Sequence, residues 1–227
     1  MDVTVFLESV RNKRPLVHHL TNWVTISDCA QIVKSLGASP VMAHAAEEVA
    51  EMTGLASALV LNIGTLTADF VQSMLIAAQA ANQRDVPVVL DVCGAGATAL
   101  RDRMCFKLIN EARIDIIKGN ASEIARIAGL DVRTRGVDSA HVATDLRSLA
   151  ADLAREKDCT VVITGPVDIV ADAKRTLAVK NGHAMMAEVV GTEFIAAVSP
   201  PTALSLTWGL DEYVAALAEA AQAADAA

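Results

Sequence analysis

The chain has 227 residues, 53% of them hydrophobic and 20% charged, with a formal net charge of −8. That composition supports a substantial core and excludes general disorder, while the acidity excludes nucleic acid or an anionic membrane as the main partner. No apolar run reaches the roughly 18–20 residues a bilayer span needs, and "MDVTVFLESVRNKRP" at the amino end has no apolar signal-peptide core. A cytoplasmic location follows as the expectation. Cys29, Cys93, Cys105 and Cys159 are scattered without CxxC spacing and read as buried free thiols.

In chain order, "PLVHHL", "SPVMA", "ALVLNIG", "VPVVLDV", "IDIIKGN" and "CTVVITGP" are strand candidates. Most are nearly continuous apolar runs, the pattern of strands covered on both faces. Between them, "ADFVQSMLIAAQAANQRD" and "VATDLRSLAADLAREKD" carry apolar residues at helical spacing. The alternation predicts βαβ crossovers and a mainly parallel sheet in a single domain spanning 1–227. "DIVADAKRTLAVKNG" breaks the pattern and predicts an antiparallel edge hairpin.

Ligands of open α/β sheets bind beyond the carboxyl ends of the strands. "NIGT" (62–65), "DVCGAGAT" (91–98), "KGNASE" (118–123) and "ITG" (163–165) all fall at that edge, and "VVGTEF" (189–194) joins them after the hairpin. "GAGAT" alone is an ordinary strand-to-helix turn. Asp91 before it is different, because a carboxylate ending an apolar strand needs a cation or donors; a magnesium–phosphate role and a structural one stand equal. Asn120 and Glu123 have the spacing of a capping box, which explains both without chemistry. Lys118 is left unexplained by capping, and a cation, an amide and a carboxylate at one sheet edge suit ATP and Mg²⁺. His18 and His19 read as packing residues rather than metal ligands. "TNWV" and "PVMAHA" suit the lining of a small-heterocycle pocket, with Met42 as a soft face or a simple core filler.

As an ordered set, "HHLTNWV", "GASPVMAHAAEEV", "ALVLNIGTL", "PVVLDVCGAGAT", "KGNASEI", "GVDS", "VVITG" and "NGHAMM…VVGT" resemble the hydroxyethylthiazole kinase family over about residues 14–192. The resemblance implies a ribokinase-like three-layer α/β/α fold and ATP- and Mg²⁺-dependent phosphorylation of the alcohol of a hydroxyethyl-methylthiazole in thiamine biosynthesis and salvage. It implies a homotrimer with interfacial sites. By position it implies Asn22, Met42, Gly64 and Gly191 for the thiazole, and Lys118, Asn120, Thr164 and Gly165 for ATP. Asp91 and Glu123 would organise Mg²⁺, partly through water or phosphate. Lys118 stands where the family usually has Arg, and "DVCG" stands for "DPVG".

At "VVGTEF" the family's "GTGC" anion-hole turn becomes Gly191-Thr192-Glu193-Phe194. A carboxylate about 4 Å from a phosphate charge repels it by roughly 4 kcal/mol at an effective dielectric near 20. Two expectations follow: an active or weakly active kinase in which Asp91, Glu123, Lys118 and Mg²⁺ suffice, with Gly191 and Glu193 as further catalytic candidates and Glu193 the general base in one variant, or an impaired homologue that only binds thiazole or nucleotide. Pro200 and Pro201 are expected to interrupt the next helix, with a last helix in "LDEYVAALAEAAQAADAA".

Overall fold

Runs such as Ala58–Asn62, buried at every position, have no solvent face, so each needs a hydrophobic layer above and below. The computed structural model, which describes residues 4–130 and 145–180, supplies both layers. The order is α1 (Thr4–Lys13), β1 (Leu16–Leu20), α2 (Ile26–Leu36), β2 (Ser39–Val41), α3 (Val49–Leu55), β3 (Ala58–Asn62), α4 (Ala68–Gln83), β4 (Val88–Asp91) and α5 (Ala99–Glu111). It continues with β5 (Ile116–Asn120), α6 (Ala121–Ile127), α7 (Leu146–Lys157), β6 (Thr160–Thr164), β7 (Asp168–Ala171) and β8 (Thr176–Val179).

The eight strands form one sheet ordered β2-β1-β3-β4-β5-β6-β7-β8. Strands β1 to β6 are parallel, and β7 and β8 run antiparallel at one edge, as the 168–182 stretch predicts. Successive residues feed opposite layers. Leu59, Leu61, Leu90, Ile117 and Ile163 pack with Met74, Leu108, Ile124 and Leu153 of α4 to α7. Ala58, Val60, Val89 and Ile116 pack on the other face with Val10 of α1 and Val33 of α2. This is the three-layer α/β/α arrangement expected.

The strands are shorter than the apolar runs suggest. Gly64, Val92 and Gly165 lie past the ends of β3, β4 and β6, where the chain turns, although the Val92 N–H still donates to the Lys118 carbonyl at 2.9 Å. The expected thiol burial holds for Cys29, Cys105 and Cys159, whereas Cys93, on the turn after β4, is only half-buried. Residues 181–227 lie outside the described residues. So do the 136–139 motif, the double proline, the last helix, and Gly191, Thr192, Glu193 and Phe194.

Candidate active site

Strand order reverses at β1, since β2 lies on one side of it and β3 on the other. Chains leaving β1 and β3 go to helices on opposite faces, and a crevice opens between their carboxyl ends. Asn22 and Gly64 sit at that crevice. The buried amide of Asn62, at the end of β3, links them. Its Oδ1 accepts from Asn22 Nδ2 at 3.1 Å and from the Gly64 N–H at 2.8 Å. Asn22 Oδ1 in turn accepts the N–H groups of Val24 and Thr25, both at 3.0 Å. A Cβ on Gly64 would lie 2.9 Å from Asn62 Oδ1 and 3.1 Å from Asn22 Cβ, so a side chain there would push the two asparagines apart. Asn62 lies in the "NIGT" turn, and sequence reasoning gave it no role. The signal was there in the same form as Asp91's, a polar residue ending an apolar strand.

Met42 follows β2 on the near side of the crevice and is half-buried. Beyond it, Trp23 stacks on Phe70 with ring centroids 5.5 Å apart, and His44 meets the Trp23 ring edge-on at 5.1 Å. The His pair behaves as packing: buried His18 bonds Thr53 Oγ1 at 2.9 Å and the Ala43 carbonyl at 2.7 Å.

Two strands further on, register places Asp91 of β4 beside Lys118 of β5. Lys118 Nζ lies 3.1 Å from Asp91 Oδ2, with the carboxylate side chain 7% and the lysine side chain 19% exposed. At the junction of β5 with α6, Asn120 and Glu123 form the capping box the spacing predicts. Asn120 Oδ1 accepts the Glu123 N–H at 3.0 Å, and Glu123 Oε2 accepts the Asn120 N–H at 2.7 Å. Capping uses only one oxygen of Glu123. The other, Oε1, accepts the Gly94 N–H at 2.6 Å and so fastens the start of α6 to the glycine turn after β4. Burial, then the neighbouring Asp91 charge, pushes the Glu123 carboxyl up to about 7, against those two hydrogen bonds and Lys118. Two carboxylates therefore share one buried corner.

Thr164 and Gly165 close the row at the end of β6. Thr164 Oγ1 reaches toward the Gly119 carbonyl at 3.4 Å, and Gly165 N–H donates to Asp168 Oδ1 at 2.9 Å. Burial holds the Asp168 carboxyl above its usual range, while Lys118 draws it down. Every described residue that the sequence nominates thus stands at one edge of the sheet. An open cavity of about 510 Å³ among Asp115, Cys159, Thr160 and Arg175 lies at the opposite ends of the strands and holds none of them.

The arrangement offers a crevice with fixed amide groups on one side and a cation flanked by carboxylates beside a glycine turn on the other. Residues 7–227 match the model of the hydroxyethylthiazole kinase family. The chain belongs to that family. It is 53% identical over 191 residues to the hydroxyethylthiazole kinase of Methanosarcina mazei, covering 84% of this chain and 73% of the relative. The solved structure of the Pyrococcus horikoshii hydroxyethylthiazole kinase protein is 34% identical, with a TM-score of 0.76 over 96% of this chain and 92% of that one. A ribokinase-like superfamily protein of Enterococcus faecalis shares the fold at a TM-score of 0.54 and 13% identity, over 97% of this chain and 83% of that one. The protein is therefore a kinase on a ribokinase-like fold. These matches lend the impaired alternative no support.

Proposed function

We propose that this hydroxyethylthiazole kinase family member transfers the terminal phosphoryl group of ATP to the hydroxyethyl alcohol of a methylthiazole, within thiamine biosynthesis or salvage. The observation that carries the reading is the convergence of Asp91, Lys118 and Glu123 on one corner beside the switch-point crevice. Asn22, Met42 and Gly64 hold the heterocycle. The Asn22–Asn62 bond keeps that side stiff, which matters because transfer depends on alignment. Lys118 meets the phosphate charge, with Asp91 holding its ammonium group in place. Asn120, Thr164 and Gly165 face the nucleotide.

A divalent cation fits the donor set. Burial first, and the charge of Asp91 second, raise the Glu123 pKa despite Lys118, and hard cations take such carboxylate oxygens. Among the described residues no group of three or more His, Cys, Asp or Glu could hold a metal alone. That suits Mg²⁺, which takes one or two carboxylates and completes its shell with phosphate and water. Mg²⁺, when bound, neutralises charge on the triphosphate. As the alcohol oxygen bonds to the terminal phosphorus, the bond from that phosphorus to the bridging oxygen breaks and ADP leaves; the alcohol proton passes to a base, and Glu193, two positions after Gly191 in the sequence, is the group we assign. The assembly we propose is a homotrimer with the thiazole site at a subunit interface, and the exposed Trp23 and Val24 beside Asn22 suit an interface there.

The test is incubation with Mg-ATP and hydroxyethyl-methylthiazole, with detection of the thiazole phosphate by mass spectrometry. Product is expected from the wild type, and Lys118→Met is expected to lower kcat by about 100-fold. No product from the wild type would overturn the reading. Product only from Glu193→Gly/Phe194→Cys would assign the loss to the altered turn.

A further inference from the structure

Arg101 lies in the first turn of α5, where the helix dipole disfavours a cation. Its position is compensated by an unusual set of acceptors. Nη1 donates to the carbonyls of Ile63 at 3.0 Å and Cys93 at 2.9 Å, and Nη2 donates to the carbonyl of Gly64 at 2.8 Å. Ile63 and Gly64 belong to the turn after β3, and Cys93 to the turn after β4. The guanidinium packs so closely that a Cβ on Gly94, at φ +78°, would come 2.9 Å from Nη1.

Each of these turns carries one half of the candidate site. Gly64, whose carbonyl Arg101 holds, donates its own N–H to Asn62 and so joins the Asn22 network. The peptide after Cys93, whose carbonyl Arg101 also holds, presents the Gly94 N–H to Glu123. We infer that Arg101 is a positioning residue that ties the heterocycle-binding turn to the phosphate-side turn, setting the distance between acceptor and donor halves of the site. This rests on the kinase reading above. The fork geometry matters more than the charge, because three carbonyls on two turns need separate donors in a fixed plane.

The test compares wild type, Arg101→Lys and Arg101→Ala by steady-state kinetics and by amide hydrogen exchange. Lysine keeps the charge but cannot span both turns. Both variants are expected to lose kcat by about 100-fold while KM for each substrate stays within about threefold, the signature of lost alignment rather than lost binding. Amides of residues 62–66 and 92–97 are expected to exchange faster together, with those of α4 unchanged. Wild-type kcat in Arg101→Lys would overturn the inference. So would a variant that fails to fold, or whose α4 amides accelerate equally, since Arg101 would then serve stability alone. A wild type inactive on the thiazole alcohol would sink the kinase reading instead. The exchange comparison still decides the bridge in that case: loosening of both turns supports it, and loosening of only one overturns it.

Discussion

Glu123 combines two demands that pull in opposite directions. As a helix-start acceptor it takes the Asn120 and Gly94 N–H groups at 2.7 and 2.6 Å, and both bonds favour its charged form. As a nearly buried carboxylate near Asp91 it is pushed toward its neutral form, and the second effect wins, with a pKa of about 7. The divalent cation proposed above would relieve that conflict. Glu123→Gln separates the roles. Glutamine leaves one of the two N–H groups facing a donor, costing about 1–3 kcal/mol. It also removes a buried charge, which offsets much of that loss. We therefore expect a small shift in unfolding midpoint but a loss of about 100-fold in Mg-ATP-dependent kcat, because a preorganised charge is gone. Melting curves beside a Mg²⁺ titration of activity check this; an intact kcat would reduce Glu123 to a cap.

The junction of β5 with α6 shows how an element is fitted around such a residue. Gly119 lies under both the turn after β4 and the side chain of Glu123. A Cβ there would meet Val92 Cγ2 at 2.8 Å and both Cβ and Oε2 of Glu123 at 3.1 Å. Val92 is fully buried and has nowhere to go, so Gly119→Ala is expected to cost about 1–3 kcal/mol by overpacking and to lower kcat as Glu123 shifts. Urea melts paired with kinetics measure both, and a neutral variant would show that the junction relaxes. The same junction shows what can be read from residue order. The strand cores are legible because burial on both faces leaves runs of Val, Ile and Leu. Asp91 and Lys118 are legible because a charged residue ending such a run needs a partner. Arg101 is not legible, since "ATALRDR" looks like a solvated helix start. Its acceptors are backbone carbonyls, two of them 37 and 38 residues away, and backbone atoms leave no mark in residue types. Asn62 lies between these cases, conspicuous at a strand end but meaningful only once β1 is known to be its neighbour.

Across the whole molecule, the sheet edge concentrates buried polar groups with opposing pH responses. His19 lies on β1, and burial, reinforced by neighbouring His18, lowers its pKa from 6.5 to about 3. The unfolded chain takes up that proton below about 6.5 and the folded chain does not, so this group's contribution is lost as pH falls from 6.5 toward 3. At pH 5 the loss is about 2 kcal/mol, at about 1.4 kcal/mol per pH unit. Glu123 acts the other way. Its folded pKa of about 7 exceeds the ordinary 4.5, so acidification from 7.5 to 5 favours the folded state, also by about 2 kcal/mol. These two contributions nearly cancel in the wild type between pH 7.5 and 5, and single variants uncover them. Relative to wild type, His19→Gln is expected to gain about 2 kcal/mol on going from pH 7.5 to 5, whatever its constant packing cost. Glu123→Gln is expected to lose about 2 kcal/mol over the same interval. His18 is also lowered by burial, but it is present in all three proteins and drops out of the differences. Urea unfolding at the two pH values, without Mg²⁺ or nucleotide, measures both. Parallel pH responses in wild type and His19→Gln would mean that His19 is protonated in the folded protein. The opposite signs tie the fold to the site: β1 is strongest when its histidines are neutral, whereas the corner at β4 and β5 carries its full negative charge only above about pH 7.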